Sequence, residues 1–374
     1  ISEGMGFNPY SGETASAADV NNDGFLDIYC TNSSTSKTNR LYLNEAGSAF
    51  FDVTFSSGTS DFRSGVAQSW GDFNSDGHMD LYIGNISSNR NILFENNGNV
   101  HFTDQTLVAG VSDDGDARTN AWIDFNNDGL LDLFTTNHVN PNKLYHNNGD
   151  GTFTDIAQNA GISSPQDGFS VSWADYDKDG DVDVLISGHS YSTKLLRNDG
   201  GNSMNYLNVR LVGEYDNNSG IGSRVTIYCN GQAQVREVNG GRGSVSQDDL
   251  SLHFGVGNCE IVDSLIINWP SGMLQKQYNV SVNQFITIIQ DGNVPPTLFH
   301  LITPLPDSIY SGTEVLFSWS MAFDPDSSGQ VNYYININGL QNDTTLGPFL
   351  DTTQMVIMSN WMNDDSVFWS VIAN

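Results

Sequence analysis

Apolar residues along this chain come in short runs, and turns rich in Asn, Asp and Gly separate them. Four runs, Asp27-Ile28-Tyr29, Asp80-Leu81-Tyr82-Ile83, Asp132-Leu133-Phe134 and Asp183-Val184-Leu185-Ile186, have the length and β-rich content of strands. A second series follows: Leu41-Tyr42-Leu43-Asn44, Ile92 to Gly98, Leu144 to Gly149 and Leu195 to Gly200. Most of its members end in Asn-Asn-Gly or Asn-Asp-Gly, which tolerate the positive φ of tight hairpins, and a return strand ending in Phe-x-Asp comes next. No stretch carries a helical apolar period long enough to compete. The pattern predicts an all-β chain of repeating units, each with about four short strands, the size of a propeller blade.

The turns ahead of the first series carry the chemistry. The pattern Asp-x-Asn/Asp-x-Asp-Gly-x-x-Asp begins at Asp19, Asp72, Asp124 and Asp175, with spacings of 53, 52 and 51 residues. Trp70, Trp122 and Trp173 each stand two residues before the first Asp, and Ala17 takes that place in the first copy. Recurrence at one register points to packing between blades rather than to sugar stacking. A hard cation such as Ca²⁺ takes about six to eight oxygens. Positions 1, 3 and 5 of a tight loop converge, Gly at 6 permits the turn, 7 offers its carbonyl and 9 closes the shell. The side-chain candidates are Asp19, Asn21, Asp23 and Asp27; Asp72, Asn74, Asp76 and Asp80; Asp124, Asn126, Asp128 and Asp132; Asp175, Asp177, Asp179 and Asp183. The carbonyl candidates are Phe25, His78, Leu130 and Asp181. Position 12 holds Cys30, Ile83, Thr135 and Ile186 in place of the Glu of an EF-hand, so the loops belong between strands. Four solvated turns without metal would leave three or four carboxylates converging without a counter-charge. Mg²⁺ suits the loops less, because it keeps its waters. About four Ca²⁺ sites are expected.

These residues resemble the FG-GAP/VCBS repeats of integrin-α-type propellers over roughly residues 1–204. The resemblance implies a Ca²⁺ loop between the first two strands of each blade. Such propellers have about seven blades, within the usual range, whereas four are visible here. Residues 1–18 read as the opening of a blade, so either further blades precede Ile1 or the ring is small or incomplete.

From about Asn205 the metal loops stop. Tyr206 to Leu211, Gly220 to Ile227, Gly240-Gly241-Arg242-Gly243, His253 to Gly257 and Ile266 to Gly272 alternate strands with Gly turns, which predicts a small β-sandwich or barrel over 205–292. The Ile-Gly-Ser-Arg and Trp-Pro-Ser-Gly segments resemble the ASPIC/UnbV domain, which implies an extracellular module. Gly240-Gly241-Arg242-Gly243 could cradle an anion but reads more simply as a turn or bulge. Pro295-Pro296 marks a linker. In 293–374, Glu314–Ser320, Val331–Asn338, Met355–Met358 and Val367–Ala373 read as strands, and Trp319, Asp324-Pro325-Asp326 and Trp369 resemble a fibronectin type III-like domain. Its closing strand is not in the sequence, so an incomplete immunoglobulin-like sandwich is expected.

Charge narrows the function. Asp and Glu number 44 against 14 Lys and Arg, a formal net charge of −30, which excludes nucleic acid and anionic membranes as natural partners. No apolar run approaches the roughly 18 residues of a membrane span. Five Asn-x-Ser/Thr sequons, at Asn32, Asn85, Asn217, Asn279 and Asn342, give weak support for export. Cys229 and Cys259 share a domain and could pair, which leaves Cys30 as a buried free thiol. The seven histidines show no metal-ligand spacing, and no G-x-S-x-G or P-loop occurs. The expected function is therefore that of an extracellular or cell-surface adhesion or assembly protein, not an enzyme, with a protein or glycan partner or self-assembly into a fibre. A glycan-binding module is the alternative. A Ca²⁺-dependent polysaccharide-acting enzyme would need a catalytic cluster outside the loops.

Overall fold

The computed structural model describes residues 12–291, apart from 35–36, 139, 164–167, 189–192, 201–202 and 243–245. Beyond 291 it describes six strands. The opening segment before residue 12, the Pro295-Pro296 linker, Asp324-Pro325-Asp326 and Asn342 lie outside the described residues.

The repeats fold into consecutive antiparallel sheets, each a simple meander. The first joins Ala15–Ala18, Asp27–Cys30, Arg40–Glu45 and Ala49–Asp52. The second joins Gly65–Gly71, Asp80–Asn85, Ile92–Asn96 and Phe102–Asp104. The third joins Ala117–Ile123, Asp132–Asn137, Lys143–Asn147 and Phe153–Asp155, and the fourth Gly168–Ala174, Asp183–Gly188 and Lys194–Leu196. Every residue of Asp80–Asn85 and Asp132–Asn137 is buried, which is why these strands read as continuous runs and not as alternating ones. The short helices Thr54–Ser57 and Thr106–Ala109, each ended by a left-handed Gly, had no signal in the apolar pattern because they are a single turn long.

The tryptophans bind neighbouring sheets together. Trp70 meets Tyr29 edge-on at 6.2 Å, Trp122 meets Tyr82 at 6.3 Å, and Trp173 meets Phe134 at 5.5 Å. Each partner is the third residue of the preceding sheet's second strand. Cores therefore form between sheets: one cluster combines Tyr29, Leu81 and Phe102, the next Tyr82, Trp122 and Phe153, the next Phe134, Val171 and Trp173.

Residues 205–289 form two sheets, and the described residues show no closed barrel. In one, Asn205–Val212 lies between Leu252–Gly257, antiparallel, and Gln284–Ile289, parallel. In the other, the order is Gln232–Glu237, Arg224–Cys229, Ile261–Asn268, Leu274–Ser281. A disulfide joins Cys229 to Cys259, and Cys30 is a free, half-buried thiol rather than a fully buried one. Asn32 and Asn85 are buried, so two of the sequons cannot receive a glycan in the folded chain, whereas Asn217 and Asn279 are exposed.

Residues 1–270 and 274–290 make one compact unit, and 271–273 with 291–374 a second. In the second unit, Leu301–Thr303, Glu314–Trp319 and Thr353–Ile357 form one sheet, and Asp343–Phe349, Tyr333–Gly339 and Val367–Ala373 another. Phe317, Trp319 and Ile335 are buried in it. The strand Asp343–Phe349 was not legible, since its Gly347 and Pro348 look like a turn. It lies at a sheet edge, where Pro is tolerated.

Candidate metal centres

The four acidic loops have one geometry. Each connects the first two strands of its sheet, closed by the pairs Ala18–Asp27, Gly71–Asp80, Ile123–Asp132 and Ala174–Asp183. Position 4 is left-handed in all four, at Asn22, Ser75, Asn127 and Lys178 (φ 58 to 62°), and so is the Gly at position 6 (φ 87 to 98°). Positive φ at positions 4 and 6, on either side of the Asp at 5, turns the chain tightly.

Backbone amides hold the carboxylates. The position-1 Asp accepts the N–H of position 5 through one oxygen and that of Gly 6 through the other, as in Asp72 from Asp76 and Gly77, both at 3.0 Å. Asp19, Asp124 and Asp175 repeat this at 2.8 to 3.2 Å. The position-5 Asp accepts the N–H of position 7 at Phe25, His78, Leu130 and Asp181. The position-9 Asp accepts the N–H of position 2 and, at 2.8 Å, that of an Asn from the third strand region: Asn44, Asn96, Asn147 or Asn198.

Those asparagines are the residues that the sequence reading missed. Asn96 donates its amide to Val20 O at 2.8 Å, Asn147 to Phe73 O at 2.9 Å and Asn198 to Phe125 O at 2.7 Å. Each acceptor is position 2 of the preceding loop, so every loop is tied to the next. Recurrence in all four copies was a signal, but the acceptor on another sheet was not visible. Asn147→Ala strips two buried carbonyls, Phe73 and Leu131, of a donor. We expect a loss of about 2 kcal/mol in urea unfolding, against no change for the exposed Asn148→Ala.

Burial raises the carboxyl pKa at every position 1 and 9. Asp27 is pushed up to about 7, Asp124 to about 8 and Asp132 to about 6, and Asp19, Asp72, Asp80, Asp175 and Asp183 move the same way. Neighbouring carboxylates add to the effect, as Asp132 and Asp128 do at Asp124. In the fourth loop, single oxygens of Asp175, Asp177 and Asp183 lie within 4.8 Å of one another. Converging, partly buried oxygens whose ionised forms oppose each other fit a hard divalent cation, which would supply the missing charge.

The 205–289 sheets lie against these loops. Glu237 accepts the N–H of Asp19 at 3.4 Å and pairs with Arg224 at 3.0 Å, and burial pushes its carboxyl up to about 7. Arg224 also donates to Gly77 O in the second loop. In the third loop, Asn127 O accepts from Gly257 N at 2.9 Å, and Asn127 Oδ1 lies 2.6 Å from His253 Nε2. Burial lowers His253 to about 3, so it is neutral and donates there. In the fourth loop, Gly180 packs under the Tyr206 ring. Arg242 is buried, donating to Asn120 O, to Val171 O at 2.9 Å and to Asp248 at 2.6 Å. None of these partners is periodic in sequence; several stand in segments read as strands or Gly turns, with no local sign of what they touch.

Comparison with known proteins agrees with this layout. FG-GAP-like repeats match at 19–83, 72–135 and 124–186, and an ASPIC and UnbV domain at 213–295. Cartilage acidic protein 1 of Xenopus tropicalis is 28% identical over 291 residues, covering 72% of this chain and 43% of that protein. Its Mus musculus counterpart is 27% identical over 282 residues, covering 71% and 42%. The chain thus spans about two-fifths of the length of these relatives. Among solved structures, an Agrocybe aegerita lectin that recognises non-reducing terminal N-acetylglucosamine is 17% identical, with a TM-score of 0.32 over 72% of this chain and 81% of the lectin. BBS1N in complex with ARL6DN is 10% identical, with a TM-score of 0.35 over 87% and 95%. At such scores neither likeness bears on function.

Proposed function

We propose that this chain is an extracellular adhesion-type module whose repeat sheets are propeller blades stabilised by Ca²⁺, and that it acts by binding rather than by catalysis. The observation that carries the reading is the fourfold recurrence of one loop backbone with raised carboxyl pKa at positions 1 and 9, together with the meeting of three carboxylates in the fourth loop. The FG-GAP-like repeats, the similarity to cartilage acidic protein 1 and the Cys229–Cys259 disulfide support it. Among the described residues, no helix is long and apolar enough to cross a membrane. In this reading the Asp and Asn side chains at positions 1, 3, 5 and 9 hold the ion with the position-7 carbonyl, and the ion keeps the carboxylates charged inside the fold.

The test is calcium titration of the intact chain by calorimetry. About four ions should bind, and Asp76→Ala should remove one while sparing the others, because neighbouring repeats are nearly separate units. Uptake of no calcium would end the reading, and unchanged stoichiometry would remove Asp76 from the ligands.

In its finer form the reading extends to self-assembly. In the second unit, the first, second and fifth described strands form one sheet and the third, fourth and sixth the other, a strand order that supports a fibronectin type III-like reading. Among the described residues Val367–Ala373 is an outer strand of its sheet, a position where a strand from another chain could add. A monodisperse monomer at high concentration in calcium would rule this out.

A further inference from the structure

One of the 205–289 sheets turns a face toward the repeats, and that face runs on past them. In the sheet ordered Gln232–Glu237, Arg224–Cys229, Ile261–Asn268, Leu274–Ser281, alternate residues point to opposite sides. One side carries Val225, Ile227, Leu265 and Ile267, all fully buried. On the other side Val235, Arg224 and Glu237 pack on the repeats.

Across the strands that second side continues into solvent. Tyr228 stands opposite Ser264, and Ser264 opposite Tyr278, so the three form one row. The next row runs from Thr226 through Ile266 to Lys276, and Leu274 follows on the outer strand. Tyr278 is 65% exposed, Leu274 54% and Tyr228 39%. Beyond the pair of Arg224 and Glu237, these rows hold no acidic side chain, in a chain with 44 Asp and Glu. Two strand spacings put Tyr228 and Tyr278 about 10 Å apart.

The character of this face selects its occupant. A polyanion is repelled by the formal net charge of −30. A cationic protein is drawn to the acidic loops and not to a face without carboxylates. What fits is an uncharged chain with apolar faces and hydroxyl edges. A β-1,4-linked pyranose chain has both: C–H groups cover its ring faces, hydroxyls line its edges, and every second ring presents the same face. The span from Tyr228 to Tyr278 is roughly one such two-sugar repeat.

The geometry points to the Tyr228–Tyr278 row as a binding face for an unbranched β-1,4-linked polysaccharide. One sugar ring stacks on each tyrosine. Ile266 and Leu274 widen the apolar floor, and Ser264 and Lys276 hydrogen-bond the hydroxyls. No residue of the acidic loops takes part, so the site stands apart from the calcium reading.

Calorimetric titration of the intact chain with β-1,4-linked hexasaccharides of glucose, N-acetylglucosamine, mannose and xylose tests it, with the α-1,4-linked glucose hexamer as reference. At least one β-1,4-linked chain should bind, and the α-linked one should not. Tyr278→Ala should weaken that binding about tenfold with the melting temperature unchanged. Tyr278→Phe, which keeps the ring, should retain most of it. Phe55→Ala, which removes an equally exposed ring from a repeat helix, should change nothing. Binding of none of the four, or full binding in both Tyr228→Ala and Tyr278→Ala, would overturn the inference. So would a wild-type dimer that Tyr278→Ala turns into a monomer, since the face would then belong to a second copy of the chain. A chain that binds the sugar but takes up no calcium would leave this inference standing and end only the calcium reading.

Discussion

Removing calcium from this chain should lower its melting temperature by about 15 °C. With a Kd of about 0.1 mM and about 1 mM free calcium, each site contributes about 1.4 kcal/mol, and four contribute about 6. That rivals the whole net stability of a typical domain, about 5–15 kcal/mol. Calorimetry in calcium and in EDTA measures it directly, and identical melts would end the calcium reading. The pH dependence of the EDTA form gives a second sign to check. Burial raises Asp27 to about 7, Asp132 to about 6 and Asp124 to about 8 from an ordinary 3.8. Between those limits the folded state binds more protons than the unfolded one, so stability falls as pH rises from about 4 to about 8. Ion-free protein should therefore melt higher at about pH 5.5 than at about pH 8. In calcium the order should reverse, because protons compete with the ion for the same oxygens.

Gly255→Ala should unseat the 205–289 sheets from the third loop. A Cβ at 255 would lie 2.1 Å from Asp124 Oδ2 and 2.4 Å from Asn127 Cα. The second of these is backbone inside a tight turn and cannot swing away. The clash also falls beside Gly257 N to Asn127 O, His253 to Asn127 and Gln234 to Gly255 O, so relief of one contact breaks others. We expect a loss of about 3 kcal/mol, with faster hydrogen exchange across Leu252–Gly257 and weaker calcium binding at the third loop alone. A variant that melts and exchanges as wild type does would show that Gly255 is not pressed on that loop.

The loops were legible because the bonds that set their turn lie within nine residues. The Asp at position 1 accepts the N–H groups of positions 5 and 6, and the left-handed residues at 4 and 6 turn the chain to allow it, so periodic sequence implies periodic geometry. The strands and the inter-sheet role of the tryptophans were legible for the same reason, since a contact made at one register in every repeat leaves a periodic mark. The asparagines at 96, 147 and 198 were half legible: their recurrence was visible, but their acceptors lie one repeat back. Arg242 and Gly255 were legible only as members of a Gly turn and a strand, not by what they touch. Their partners at Asn120, Asp124 and Asn127 lie more than a hundred residues away in chain that repeats, while they themselves belong to chain that does not. A buried charge or a missing Cβ takes its meaning from what is packed against it, and the packing of a non-repeating module on a repeating one is decided only when both have folded.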